Sequence, residues 1–156
     1  MSQADVPQPG VERRAQEPLG PYVVEDQVGF LLRRAHQRHA AIFLETMARH
    51  DLTPTQFTAL IKTVELGRVT QNLLGRLVAM DPATIQGVVR RLVDRALIAR
   101  ALDPMDRRTT VLIPTDAGFA LAAKAVVAAR AITAATLAPL DPEERTQLTA
   151  LLRKLG

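Results

Sequence analysis

Three groups of side chains in this 156-residue chain are of types and spacings that support chemistry. Asp106, Arg107 and Arg108 sit in a short polar run with Pro104, a turn former, between two apolar runs. Exposed arginine on such a turn suits the enhanced negative potential of a DNA minor groove. Thr84, Gln86, Gly87, Arg90 and Arg91 are among the positions left over where Ile85, Val88, Val89, Leu92 and Val93 repeat at helical spacing. A helix of that kind fits the DNA major groove and presents hydrogen-bonding groups to base edges. His36 and His39 lie three apart on one helix side, with Arg38 between them and Tyr22 and Phe43 as nearby aromatics. Arginine and histidine suit a carboxylate, so these five are candidate ligand contacts. Each group also has a plainer reading: a solvated helix face, a turn ion pair, a histidine packed in the core. The His36-x-x-His39 pair supplies two zinc ligands, but zinc needs a third and usually a fourth, with only His50 or Asp51 at hand. No metal site is therefore assigned, and whether the pair binds a ligand, binds a metal or only packs stays open.

Composition narrows the field. The chain is 47% hydrophobic and only 3% aromatic, so Leu, Val, Ile and Ala must fill one core. A formal charge of +4 and a pI near 10.3 agree with nucleic acid as partner but do not identify it. There is no cysteine, which rules out thiolate catalysis and disulfides. The single serine, Ser2, lies outside the part expected to fold, and neither a glycine-rich phosphate loop nor a His-Glu-x-x-His motif occurs. An enzyme is not expected, and no cofactor is implied. With no apolar leader, and no stretch judged close to the roughly 18 apolar residues of a membrane span, a cytoplasmic protein is expected.

The elements that position these groups follow from pattern. Residues 1–21, with Pro7, Pro9, Pro18 and Pro21, are expected to be disordered. A long helix is predicted from Asp26 to Arg49, with Val28, Leu31, Leu32, Ala35, His39, Ile42, Phe43 and Thr46 on its apolar face. Thr53-Pro54 caps a second helix whose buried face is Phe57, Leu60, Ile61 and Val64, with Gly67 as its stop. Thr70 opens a short third helix through Leu73, Leu74, Leu77 and Val78, and Asp81-Pro82 opens a fourth. The period then changes, and 97–102 with 109–114 reads as a hairpin. An alanine-rich helix over 115–137 and a leucine-striped one from Asp141-Pro142 complete the chain.

Two short helices followed by an arginine-tipped hairpin give the order of a winged helix-turn-helix. The run Asp103-Pro104-Met105-Asp106-Arg107-Arg108, continued by Ile113-Pro114-Thr115-Asp116-Ala117-Gly118, resembles the wing signature of the MarR family of bacterial regulators. Ile85 to Ile98 resembles the end of that family's recognition helix, and element order agrees over about Asp26 to Leu155. Pro114 stands where the family usually has leucine, and Ala96 where glycine is common. Proline lacks the amide donor a strand needs, and alanine makes a left-handed turn costlier.

The resemblance implies a mainly α fold with a small β-hairpin wing, a single domain over 22–156, a DNA-binding lobe over 53–114, and dimerisation helices over 22–49 and 115–156. It implies that Asp106 orients Arg108 and the wing backbone, that Arg108 enters the minor groove, and that Thr84, Gln86, Gly87, Arg90 and Arg91 face DNA. It further implies a homodimer on a pseudo-palindromic operator, more often a repressor than an activator, released by a small aromatic carboxylate or phenol. The alternative is a non-specific or architectural nucleic-acid-binding protein without an effector.

Overall fold

The computed structural model describes residues 22–156; the expected disordered segment 1–21 lies outside them. The chain divides into two compact units, Met1–Arg34 and Ala35–Gly156, with the division inside the first helix. In the described part of the first unit, a single-turn helix at Val24–Asp26 leads into α1 (Val28–Met47). Tyr22, Val28, Leu31 and Leu32 are exposed there, and the Arg33 guanidinium lies 5.3 Å from the Phe30 ring centroid.

The second unit carries the rest of α1 and then α2 (Pro54–Leu66), α3 (Gln71–Leu77), α4 (Pro82–Asp94), β1 (Ile98–Leu102), β2 (Thr110–Pro114), α5 (Asp116–Thr136) and α6 (Pro142–Leu155). The two strands form an antiparallel hairpin pairing Ile98 with Pro114 and Leu102 with Thr110. Val69 extends this hairpin by one bridge to Leu112, which ties the approach to α3 onto the wing. Each helix start has a local cause. Thr53 and Gln56 exchange side-chain and backbone hydrogen bonds in a capping box before Pro54, and Asp141 and Glu144 do the same before Pro142. Asp81 Oδ1 accepts the Ala83 and Thr84 amides at 3.0 and 2.9 Å, opening α4.

The core gathers Phe43 and Met47 of α1, Leu60 of α2, Leu74 of α3, Ile85, Val89 and Leu92 of α4, Ile98 and Leu112 of the hairpin, and Ala122, Ala125 and Ile132 of α5. Several expected core positions differ. Leu73 and Leu77 are exposed, because the seven-residue α3 turns only Leu74 and Gly75 inward. A Cβ at Gly75 would lie 3.2 Å from Ile85 Cγ2, so the missing side chain sets the α3–α4 approach. Phe57, Ile61 and Val64 are only partly buried, while Gln56 and Thr63 of α2 are buried. Thr63 Oγ1 donates to the Ala59 carbonyl at 2.8 Å, which satisfies its hydroxyl.

α5 also corrects the expectation about apolar length: it is long and apolar enough by composition to cross a membrane. Its alanines raise its mean hydropathy, while Ala122, Ala125, Ala128 and Ile132 are buried within this unit. None of the α6 leucines is buried.

Candidate nucleic-acid interface and a ligand-sized cavity

α4 separates its two faces sharply. Ile85, Val88, Val89 and Leu92 are buried, whereas Thr84, Gln86, Arg90 and Arg91 are exposed and Gly87 is half-exposed. The sequence therefore placed all five candidates on the polar side, one turn apart on a helix whose first turn is fixed by Asp81. The Thr84 hydroxyl donates to Asp81, and this bond together with the Thr84 amide holds the Asp81 carboxyl below the usual carboxylate range. Thr84 is thus partly committed to the cap, while Gln86, Arg90 and Arg91 carry no side-chain hydrogen bond among the described residues.

At the wing tip Asp106, Arg107 and Arg108 are all exposed. Asp106 Oδ1 accepts the Arg108 backbone amide at 3.0 Å, and its Oδ2 accepts the Thr109 hydroxyl at 2.9 Å. These bonds hold the Asp106 carboxyl below its ordinary range, the Arg108 amide being the larger cause. Asp106 therefore shapes the turn backbone from which Arg108 projects; the ion pairs among the described residues are Lys62–Glu65 and Arg95–Asp51.

The wing's exit is fixed as firmly as its tip. Thr115 Oγ1 accepts the Gly118 amide at 3.0 Å and reaches the Ala96 and Leu97 carbonyls at 2.6 and 3.1 Å. A Cβ at Gly118 would fall 2.0 Å from the Leu97 carbonyl oxygen, so only glycine lets α5 start against that turn. Ala96 takes the left-handed conformation expected of it, at φ 53°, and β2 ends at Pro114 as the missing amide requires.

Arg100 was not among the sequence candidates. It lies exposed on β1, and with Ala83, Gln86, Gly87 and Arg90 it lines a cleft of about 410 Å³ between hairpin and helix. Alternation along 98–102 puts Arg100 on the same strand face as the buried Ile98, so the sequence pattern gives no sign that it is exposed beside α4.

A second cavity, about 180 Å³, lies between α1, α2 and α5 and is lined by His39, Phe43, Phe57, Thr58, Ala129 and Thr133 among others. His39 Nδ1 is 3.0 Å from the Thr136 hydroxyl. Phe43 meets Phe57 edge-on, with ring centroids 6.0 Å apart and planes at 69°. Of the five candidate effector residues, this cavity gathers His39 and Phe43 only. Arg38 is exposed and donates to the Ala135 carbonyl at 3.0 Å. His36 is exposed on α1 and lines no part of the cavity, and Tyr22 belongs to the other compact unit. Phe57, expected on the buried face of α2, and Thr58, which the sequence did not single out, also line the cavity. Among the described residues no three His, Asp or Glu side chains cluster as metal ligands.

Known proteins share this fold. The MarR family model matches residues 50–109. The transcriptional repressor NicR of Pseudomonas putida is 40% identical over 135 residues, covering 86% of this chain and 85% of NicR. A probable transcriptional regulator from Pseudomonas aeruginosa is 46% identical, with a TM-score of 0.82 over 86% of this chain and all of that one. Bordetella bronchiseptica BpsR, solved for the mechanism by which 6-hydroxynicotinic acid regulates its DNA binding, is 42% identical, with a TM-score of 0.82 over 87% of this chain and 97% of its own. Its neighbours are winged-helix regulators rather than enzymes, and the chain belongs to the MarR family.

Proposed function

We propose that this protein is a homodimeric, sequence-specific transcriptional repressor that acts in the cytoplasm and is released from its operator by a small aromatic carboxylate. The observation that carries the DNA-binding half is the pairing of two exposed surfaces on one rigid lobe. These are the polar face of α4 and a wing whose turn Asp106 fixes behind Arg107 and Arg108. In this reading Gln86, Arg90 and Arg91 meet base edges or phosphates, Thr84 contributes beside its cap, Gly87 permits close approach, and Arg108 enters the minor groove.

The dimer reading rests on α6, whose Leu148, Leu151, Leu152 and Leu155 are 37–73% exposed in the single chain. A second copy covers that stripe and gives DNA-binding lobes spaced for half-sites about one helical turn apart. The effector reading rests on the cavity at His39, whose imidazole and aromatic walls suit a ring bearing an acid group. One relative supports this ligand class, since 6-hydroxynicotinic acid regulates DNA binding by BpsR, and NicR supports the repressor reading. The ligand acts by preferring the dimer state whose recognition helices fit adjacent grooves badly, and it shifts the equilibrium only by that preference. α5 provides the connection, because it lines the cavity and begins at the Thr115–Gly118 pin beside the wing.

Fluorescence anisotropy on the DNA upstream of the protein's own coding region, with and without 6-hydroxynicotinic acid, tests both halves. Tight binding that the acid weakens at least tenfold, about 1.4 kcal/mol of coupling, supports the reading. His39→Ala should abolish the response and leave DNA affinity in place. Equal responses in wild type and variant would move the effector site elsewhere.

A further inference from the structure

The cleft between α4 and β1 shares Gln86, Gly87 and Arg90 with the roles above, but its Arg100 wall has no role there. We infer that it is a seat for one phosphodiester of the DNA backbone, with Arg100 as its principal cation. The inference rests on the DNA-binding reading and adds to it a residue outside both recognition helix and wing tip. Four observations converge. Two arginines, Arg90 and Arg100, line the same cleft, and neither has a carboxylate within ion-pair distance among the described residues. The helix side of the cleft is built from Ala83 and Gly87, which leave room for a sugar-phosphate between the cations. Gln86 adds an amide, so the walls hold hydrogen-bond donors and no acid. Finally, Gln71 Oε1 accepts a hydrogen bond from the Arg100 guanidinium at 3.4 Å, tethering it toward the start of α3.

A strand backbone running past α4 toward the wing must cross the gap between helix and hairpin. An anion is the group those walls accept. Guanidinium offers two parallel donors to phosphate oxygens, and another of its five N–H groups stays with Gln71. Such a contact positions the protein on the duplex and carries no sequence information. Gln71 is then a positioning residue acting through Arg100.

The test is a salt titration of the full-length protein on its upstream DNA and on random-sequence duplex DNA. Arg100→Gln should weaken both to a similar extent and flatten the log affinity–log salt slope by about 0.9. Arg100→Lys should restore the slope, since the charge remains, while regaining only part of the affinity. Gln71→Ala should lower affinity less and leave the slope intact. Circular dichroism establishes that each variant is folded, which the exposed position of Arg100 favours. An unchanged slope in a folded Arg100→Gln protein overturns the inference, and so does a loss confined to one operator base pair. Wild-type protein with no affinity for either duplex would instead remove the DNA-binding reading on which it stands.

Discussion

α4 and α6 begin alike and end in different surroundings. Both open with an aspartate cap followed by proline, and both carry apolar residues at helical spacing. α4 buries Ile85, Val88, Val89 and Leu92 against its neighbours, which leaves a polar face free. No α6 residue is fully buried among the described residues, and its leucine stripe is the free face. A cap is decided locally, but burial is decided by what packs alongside. The same pattern therefore yields one helix completed by its own chain and one whose stripe the proposed dimer would cover, so the two should fail differently when their leucines are changed.

The largest effect is expected in α4. Leu92→Ala removes a fully buried side chain and should cost about 2–5 kcal/mol, seen as a lower denaturation midpoint. Leu151→Glu in α6 should spare the fold of a single chain but bring the sedimentation mass down to that of one chain, with operator affinity lost alongside. A stable dimer of Leu151→Glu would erase the distinction between the two helices.

Gly118→Ala comes next. The added methyl has no room beside the Leu97 carbonyl, so a loss of about 1–3 kcal/mol in stability is expected by thermal melting. Arg108→Ala should leave stability within about 0.5 kcal/mol, being an exposed surface change, yet weaken DNA binding about tenfold or more. Unchanged affinity would place the DNA surface elsewhere.

The smallest effect is that of pH on the wing. Asp106 is held below its ordinary range in the folded chain, so its contribution is complete above that range and is lost as pH falls through it. Amide signals of Arg108 and Thr109 should report this acid loosening, and Asp106→Asn should remove its pH dependence.

Element order, caps and the wing motif were legible in the sequence because each depends on neighbours a few residues away. Thr53, Asp81 and Asp141 cap the helices they were expected to cap, and Ala96 takes its strained turn. What was not legible depends on contacts across the chain. Leu73 and Leu77 fit a helical pattern, yet α3 has too few turns to bury them. Arg100 shares its strand face with the buried Ile98, and only the fold shows it exposed in a cleft with Gly87. The effector candidates were drawn from α1 and, with Tyr22, the segment before it, whereas the cavity also takes Phe57 and Thr58 from α2 and Thr133 from α5. Sequence proximity grouped His36 with His39, and the fold separates their surroundings.

The central claim is that α4 and the wing of a dimer read a defined DNA site. Footprinting on the DNA upstream of the protein's own coding region tests it most directly. The account predicts one protected pseudo-palindromic segment with half-sites about one helical turn, roughly 10 base pairs, apart, and loss of protection with Arg108→Ala. Uniform protection of any duplex at equal protein concentration, with no preferred segment, would contradict it.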